Sequence, residues 1–448
     1  MPAKAGKGGK MLNHKTIKTI LTITALCLVS LTRADEKEET KIELIPVYEK
    51  TFDDTIRDVI YDEVEMTVEQ ARKIGRNYRG LDDKQKIKLL YPKVIVTKSN
   101  IQFCDLLGNP KRLISRKARI KGKEAYTSVV ISDNGKFVGM VKSVFQENIG
   151  LTAILTIYDN EGKLCWSTDI SKVGMCSGGP YISPNGEYVV ADGDASYDYC
   201  DYWPSIYDKD GLRAELFPEA TSPAYECWIN DQIAFTPDGS KFVVIKTNHH
   251  AKNADLILFT SDGKKIWEKT IGNGGCGWRS VKISKSGRYI ILCVSKGIKG
   301  KVSLLLFDIN GNLIWKNDDI KVGTPDFMFS EDEKSLVYIN GWGLLYFMNL
   351  ANGKVLWQID KTEQEVGRFR TLSATPDLEL LLIGVYGHYG RPDRIYIFNK
   401  KGTLLLEQEF ESGIFHGAPK IEISSDGKEL IMCRGKMIKV EQIRQNGR

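Results

Sequence analysis

The sequence predicts an all-β fold: a β-propeller of four-stranded blades, with one short helix near the N-terminus. Three observations carry this expectation. The stretch 278–318, WRSVKISKSGRYIILCVSKGIKGKVSLLLFDINGNLIWKND, reads as four consecutive strands separated by turns. A turn recurs with its hydroxyl at Ser132, Ser183, Thr236, Ser284, Ser330, Thr375 and Ser424, at spacings of 51, 53, 48, 46, 45 and 49 residues; it reads Ser/Thr-x-Asp/Asn-Gly at Ser132, Ser183, Thr236 and Ser424 and varies to SKSG, SEDE and TPDL at the other three. A second turn recurs in the same phase, and in four copies a Trp follows the Gly by four residues: Gly162/Trp166, Gly263/Trp267, Gly311/Trp315 and Gly353/Trp357. A period of this length with four strands per unit marks a ring of blades, each covering its neighbour's apolar face.

Within the unit, SVKIS alternates apolar and polar residues as a half-buried strand does (strand A). YIILCVS is a continuous apolar run, expected of a strand covered on both faces (strand B). VSLLLFDI is strand C, NGN is a hairpin turn, and LIWKND is a more exposed strand D.

The Gly-x-x-x-Trp turn resembles the repeat of the quinoprotein-like propellers, in which the Trp docks against the adjacent blade. The Ser-x-Asp/Asn-Gly turn resembles WD40-like repeats of bacterial type, although no blade carries a Trp-Asp dipeptide at the expected place. The resemblance spans roughly residues 90 to 441. It implies a fold and no reaction, because propellers host many unrelated tasks. Quinoprotein dehydrogenases would imply pyrroloquinoline quinone, but those enzymes carry a vicinal Cys pair and no Cys-Cys occurs here. The repeat is therefore read as shared architecture, and no cofactor is expected.

Taken in order, residues 1–34 read as a signal peptide or an N-terminal anchor. Basic residues through Lys18 precede the apolar run Ile20 to Leu31, and Thr32-Arg33-Ala34 offers small residues at −3 and −1. The apolar run is short for a membrane span. Residues 35–91 are read as a linker, closing strands and a short helix. Here 41–50 and 56–66 are strand candidates. Thr67 and Gln70 form a capping box, and Gly75 stops the helix. Residues 76–90 are read as loop. The propeller proper is assigned to 92–448. Its first blade lacks strand A and its last lacks strand D. If 56–66 supplies the A and 41–50 the D, the ring has eight blades. Seven blades with an accessory N-terminal segment is the alternative.

The chain carries 63 basic and 57 acidic residues. Six of the basic residues and none of the acidic ones lie in 1–34, so the remainder is balanced at 57 and 57. That argues against a nucleic-acid binder held by phosphate contacts. A membrane partner is expected only if the N-terminal segment stays uncleaved, and the protein is expected to be a monomer.

Candidate functional residues gather in the D–A and B–C loops, which meet at one mouth of the central channel. Cys176, Cys227 and Cys276 occupy equivalent D–A loops of consecutive blades, and Cys200 lies in the B–C insertion between the first two. In an exported protein they are disulfide candidates. Free thiols and a thiolate metal site are the alternatives. Cys104, Cys165, Cys293 and Cys433 fall within strands and read as core residues. The insertion 192–203, DGDASYDYCDYW, places Asp192, Asp194, Ser196 and Asp198 at the oxygen spacing of a calcium loop. Tyr197 and Trp203 depart from that pattern at its sixth and twelfth places. Tyr199, Tyr202 and Trp203, with Trp228, Trp278, His388 and Arg391, are residue types that anchor partners. Arg394 is a second cation for an anionic ligand. The sequence has no nucleophile elbow, phosphate-cradling Gly loop or H-E-x-x-H. The expectation is an exported scaffold that binds a protein or small-molecule ligand on this loop face. The alternative is an enzyme (a lyase, hydrolase or oxidoreductase) working at the channel mouth.

Overall fold

The computed structural model describes residues 41–446, apart from 118, 121–122, 147–149, 172–179, 192–203, 218–232, 249–252, 274–278, 296–300, 322–325, 342, 362–367, 388–391, 411–419 and 435. Eight four-stranded antiparallel sheets form a propeller ring. Blades 1 to 7 span 56–115, 126–169, 181–215, 233–273, 279–321, 326–360 and 368–410, with strands A to D in chain order. Strands A of neighbouring blades meet on the inside of the ring, as between blades 2 and 3, 4 and 5, 6 and 7, 7 and 8, and 8 and 1.

Blade 8 closes the ring with strands from both ends of the chain. Lys420–Ile423, Glu429–Arg434 and Met437–Asn446 supply A, B and C, and Lys41–Thr51 supplies D. Its register runs from Lys41 opposite Asn446 to Thr51 opposite Met437. The strand count that favoured eight blades therefore gives the observed closure, and both N-terminal candidates are strands. Pairing the two ends covers the edge of strand C that would otherwise be left open on the outer side of the blade.

The repeated A–B turn has a hydrogen-bond reason. Its hydroxyl is buried in all seven copies. The hydroxyl oxygen accepts from the amide five residues on, as in Phe137 to Ser132 (3.0 Å), Ser335 to Ser330 (2.9 Å) and Glu429 to Ser424 (2.8 Å). In most copies it also donates to the Asx two residues on, as in Ser183 to Asn185 (2.7 Å). This local network ties the turn without help from the sheet ladder. Five copies place a glycine at the left-handed turn position. The other two place Glu333 (φ 51°) and Leu378 (φ 59°) there, a conformation that costs a non-glycine residue about 1–2 kcal/mol. Each has a compensating contact. Glu333 accepts from Ser286 and Arg288 of the neighbouring blade, and Leu378 is fully buried.

Blade 1 replaces this turn with helix α1 (Val68–Lys73). The expected capping box is present: Thr67 Oγ1 accepts from Gln70 N (3.2 Å), and Gln70 Oε1 accepts from Thr67 N (2.8 Å). Gly75 takes φ 85° at the helix stop. One expectation needs correcting. Lys86–Leu90 belongs to strand B of blade 1 (Lys86–Thr97) and is not loop. Its Ile87, Leu89 and Leu90 are buried with Val68, Ala71 and Tyr78 against Ile431, Ile438 and Val440 of blade 8. The polar residues around them hid a strand that the helix covers.

The core is divided among the seams. Eight clusters of buried apolar residues each join two adjacent blades, so every blade is held by its two neighbours. Cys104, Cys293 and Cys433 are buried in these seams as expected. Cys165 is exposed, a correction: it precedes the docked Trp166 on strand D and so points outward. Among the described residues no helix is long and apolar enough to cross a membrane.

Candidate functional site

Each D strand carries a register shift at the same place, which aligns the blades residue by residue. The residue just past the shift is Arg112, Trp166, Ala214, Trp267, Trp315, Trp357, Leu406 and Tyr48 in blades 1 to 8. It faces the next blade. Trp267 Nε1 donates to Ile309 O (3.0 Å), Trp315 to Leu350 O (2.6 Å) and Trp357 to Lys400 O (2.8 Å), each a carbonyl in the following C–D turn. Trp166 donates to Gly186 O (2.7 Å) in the following A–B turn. Gly311, Gly353 and Gly402 pack on the indoles of Trp267, Trp315 and Trp357; a Cβ would meet the ring at 2.6 Å at Gly353 and at 3.1 and 3.0 Å at Gly311 and Gly402. The repeated Trp thus docks on the adjacent blade, as the resemblance implied.

Tyr48 performs this role at ring closure. Its hydroxyl donates to Leu107 O, and Lys50 Nζ reaches Gly108 O (2.9 Å) in the same turn. The guanidinium of Arg76, only 1% exposed, lies 4.2 Å from the Tyr48 ring centroid. Its Nη2 donates to Leu90 O and Leu106 O (3.2 and 3.3 Å). Beside it, Glu429 accepts from Leu90 N (2.6 Å) and from the Tyr78 hydroxyl. Burial pushes the Glu429 carboxyl up to about 8, against the opposing pull of the Leu90 amide and the Arg76 charge. Burial also pushes Glu422 up to about 7 and lowers Arg76.

Toward the channel, charged side chains of strands A pair across seams. Lys282 meets Asp326 (2.6 Å), and Lys420 meets Asp58 (3.3 Å). Glu63 of blade 1 accepts from the Ser425 hydroxyl of blade 8 (2.7 Å). These contacts tie blade to blade.

Two cavities lie at seams that lack a docked indole. At the seam of blades 7 and 8, the paired strand ends at Lys41 and Asn446 stand where other blades have a C–D turn. A groove of about 750 Å³ runs there between the A–B turns of both blades, Arg444 and the segment after α1. At the seam of blades 3 and 4 the docking residue is Ala214. A cavity of about 210 Å³ opens beside it, between Leu216 and Phe217 of one blade and Ile257 and Phe259 of the other.

The loop-face candidates named from sequence, Arg394 apart, lie outside the described residues: Cys176, Cys200, Cys227 and Cys276; Asp192, Asp194, Ser196 and Asp198; Tyr199, Tyr202, Trp203, Trp228, Trp278, His388 and Arg391. The strands that flank them are described. The two longest connections between strands on that face both start from blade 3, one within it between Ala191 and Ser205 and one leading to blade 4 between Glu215 and Ile233. Arg394 is no spare cation. It sits in strand C of blade 7 and its Nε donates to Glu409 (2.7 Å). Among the described residues no group of three or more His, Cys, Asp or Glu side chains could hold a metal ion. The closure cluster of Arg76, Tyr78 and Glu429 escaped sequence reading, because its members come from opposite ends of the chain with nothing in their local sequence to join them.

No protein-family model matches the sequence, and no curated protein does. Solved structures share the fold. A crystal structure of the eukaryotic initiation factor aligns with a TM-score of 0.50 and 12% identity, over 76% of this chain and 78% of that one. The C-terminal WD40 domain of Sif2 aligns with a TM-score of 0.49 and 10% identity, over 79% and 92%. At 12% identity the likeness to the initiation factor is one of fold alone.

Proposed function

We propose that this chain is an exported propeller scaffold that captures a protein or small-molecule ligand on the face of its D–A and B–C loops. One observation carries the reading: the longest B–C connection holds Tyr199, Tyr202 and Trp203, and the longest D–A connection, which starts from the same blade, holds Trp228. Aromatic residues concentrated in loops on a rigid frame are what partner recognition uses. Trp278, His388 and Arg391, in loops of other blades, extend the same surface. The repeat is grouped with the quinoprotein-like propellers of bacteria on the strength of its docked indoles, without their cofactor. The protein acts as a monomer, and residues 1–34 direct export. Calcium bound by Asp192, Asp194, Ser196 and Asp198 would brace the insertion.

Photo-crosslinking tests the face. A photoreactive side chain at Tyr202 or Trp203, in the cells that make the protein, is expected to trap a discrete partner. The same probe at Leu356, on the outer rim, is expected to trap none. Equal trapping at both positions sinks the reading. Sequencing of the mature N-terminus is expected to begin at Asp35. The unreduced intact mass is expected to be lower by two hydrogens for each pair formed among Cys176, Cys200, Cys227 and Cys276. A fully reduced chain counts against export.

A further inference from the structure

Charge is balanced beyond residue 34, but one stretch is not. Residues 111–123, KRLISRKARIKGK, hold seven of the 57 basic residues beyond residue 34 and no acidic one. The stretch begins in strand D of blade 1 (Pro110–Ser115) and runs on through Arg116 and Lys117. Each of the other seven D strands carries at least one acidic residue. Cations there are matched, as in Lys265–Glu268 (2.9 Å) and Lys316–Asp318 (3.3 Å). Arg116 is occupied, donating to Thr97 O and Thr127 O (2.6 and 3.0 Å). Lys111, Arg112 and Lys117 are exposed and make no ion pair among the described residues. Between them stands Leu113, 57% exposed, the most exposed large apolar side chain described. Across the seam Gly162 packs on Arg112, where a Cβ would meet Arg112 Cδ at 2.9 Å. The two residues after Gly162 are Lys163, exposed and likewise without an ion pair, and Leu164, 52% exposed. The acid of that turn, Glu161, is held by Lys93. The outer rim of blades 1 and 2 thus sets two exposed leucines among four unmatched cations.

Proline and lysine on an outer strand blunt its open edge against pairing with another strand, and that accounts for Pro110 and for a cation or two. It does not account for the loss of every acid, or for leucines left in water. We propose that this rim, centred on Lys111, Arg112 and Leu113, is a docking surface for an anionic lipid bilayer. The cations meet headgroup phosphates, and the leucines enter the boundary of the acyl chains. A polyanion with no apolar phase, such as a nucleic acid, would leave Leu113 and Leu164 without a partner. Strand addition by an acidic peptide is opposed by Pro110, which has no N–H to offer. The rim shares no residue with the loop face, so it stands or falls independently of the scaffold reading.

The test is flotation of the full chain with vesicles of phosphatidylcholine, with and without phosphatidylglycerol. Phosphatidylglycerol is expected to strengthen binding, and salt raised to about 0.5 M to weaken it. Residues 1–34 are basic as well, so the variants decide. Lys111→Gln with Arg112→Gln and Lys117→Gln is expected to weaken binding to the anionic vesicles at least about tenfold, each cation near such a surface contributing roughly fivefold. Lys111→Gln with Lys117→Gln leaves Arg112 against Gly162 and is expected to weaken it at least about fivefold, which decides the matter if the triple variant does not fold. Leu113→Ser is expected to weaken it at least about threefold with the salt dependence unchanged. Lys264→Gln with Lys354→Gln and Lys401→Gln, three exposed lysines at the C–D turns of blades 4, 6 and 7, is expected to change nothing. Equal effects of the two triple variants, no preference for anionic vesicles, or capture of polyglutamate in place of vesicles would overturn the proposal, the last pointing to an acidic protein instead.

Discussion

The indole of Trp315 and the backbone of Gly353 form one joint: Nε1 donates across the seam to Leu350 O at 2.6 Å, and a Cβ built on Gly353 would meet Cδ2 of the ring at 2.6 Å. Trp315 is only 8% exposed, the most buried of the docked indoles. Trp315→Ala is expected to cost about 3–5 kcal/mol in urea unfolding. Trp315→Phe, which keeps a ring and loses the hydrogen bond, is expected to cost less. Gly353→Ala is expected to destabilise as well, since φ is 66° and the methyl has no space. Trp357, more exposed at its own seam, is expected to give a smaller loss on Trp357→Ala. Equal losses at the two positions would contradict this ranking.

Ring closure gives a second prediction. Tyr48 is the docking residue of the only blade built from both chain ends, and its ring also supports buried Arg76. Tyr48→Phe should cost roughly 1 kcal/mol through the lost bond to Leu107 O. Tyr48→Ala should cost several times that, because it also leaves a buried guanidinium without its ring. Hydrogen exchange separates the two effects: the alanine variant is expected to expose the amides of Lys41–Thr51 before those of blades 4 to 6. Simultaneous exchange around the whole ring would show that closure is not the weak joint.

What sequence reading could reach depended on whether an element repeats. The A–B turn was legible because one hydroxyl, from Ser132 round to Ser424, satisfies the same amide in seven blades. The Trp docks were legible for the same reason. Strand B of blade 1 was only half legible, because α1 replaces the turn that announces strand B elsewhere. Tyr48 could not be recognised as a docking residue, since no C–D turn precedes it to mark the register. Ala214 was equally silent: a small residue has no motif, and its meaning comes only from alignment with Trp166 and Trp267 through the shared strand irregularity.

The capping box of α1 makes a local prediction. Thr67→Ala removes the side-chain acceptor for Gln70 N and should cost about 1 kcal/mol. Because α1 covers Leu89 and Leu90, faster exchange is expected at the amides of Val68–Lys73 and then at Lys86–Leu90, with the seams of blades 4 to 6 unchanged. Loss of protection throughout the ring would mean that the helix supports more than its own seam.

The last prediction concerns pH. Glu429 is raised from 4.5 to about 8 by burial, so the folded state holds a proton there that the unfolded chain releases above its own lower value. Between these two values the native state binds more protons. Stability contributed by this group is therefore complete below about pH 4.5 and is lost as pH rises, with a slope approaching 1.4 kcal/mol per pH unit. The loss levels off near pH 8. Glu422, raised to about 7, adds to the slope over the lower part of the same window. Glu429→Gln keeps an acceptor for Leu90 N and cannot ionise. Its unfolding free energy, measured by urea titration from pH 4 to 9, should fall less steeply than that of the parent, with the two curves diverging most between about pH 5 and 8. Parallel curves would mean that Arg76 holds Glu429 ionised in the fold, and that closure is made by a buried ion pair instead of a protonated acid.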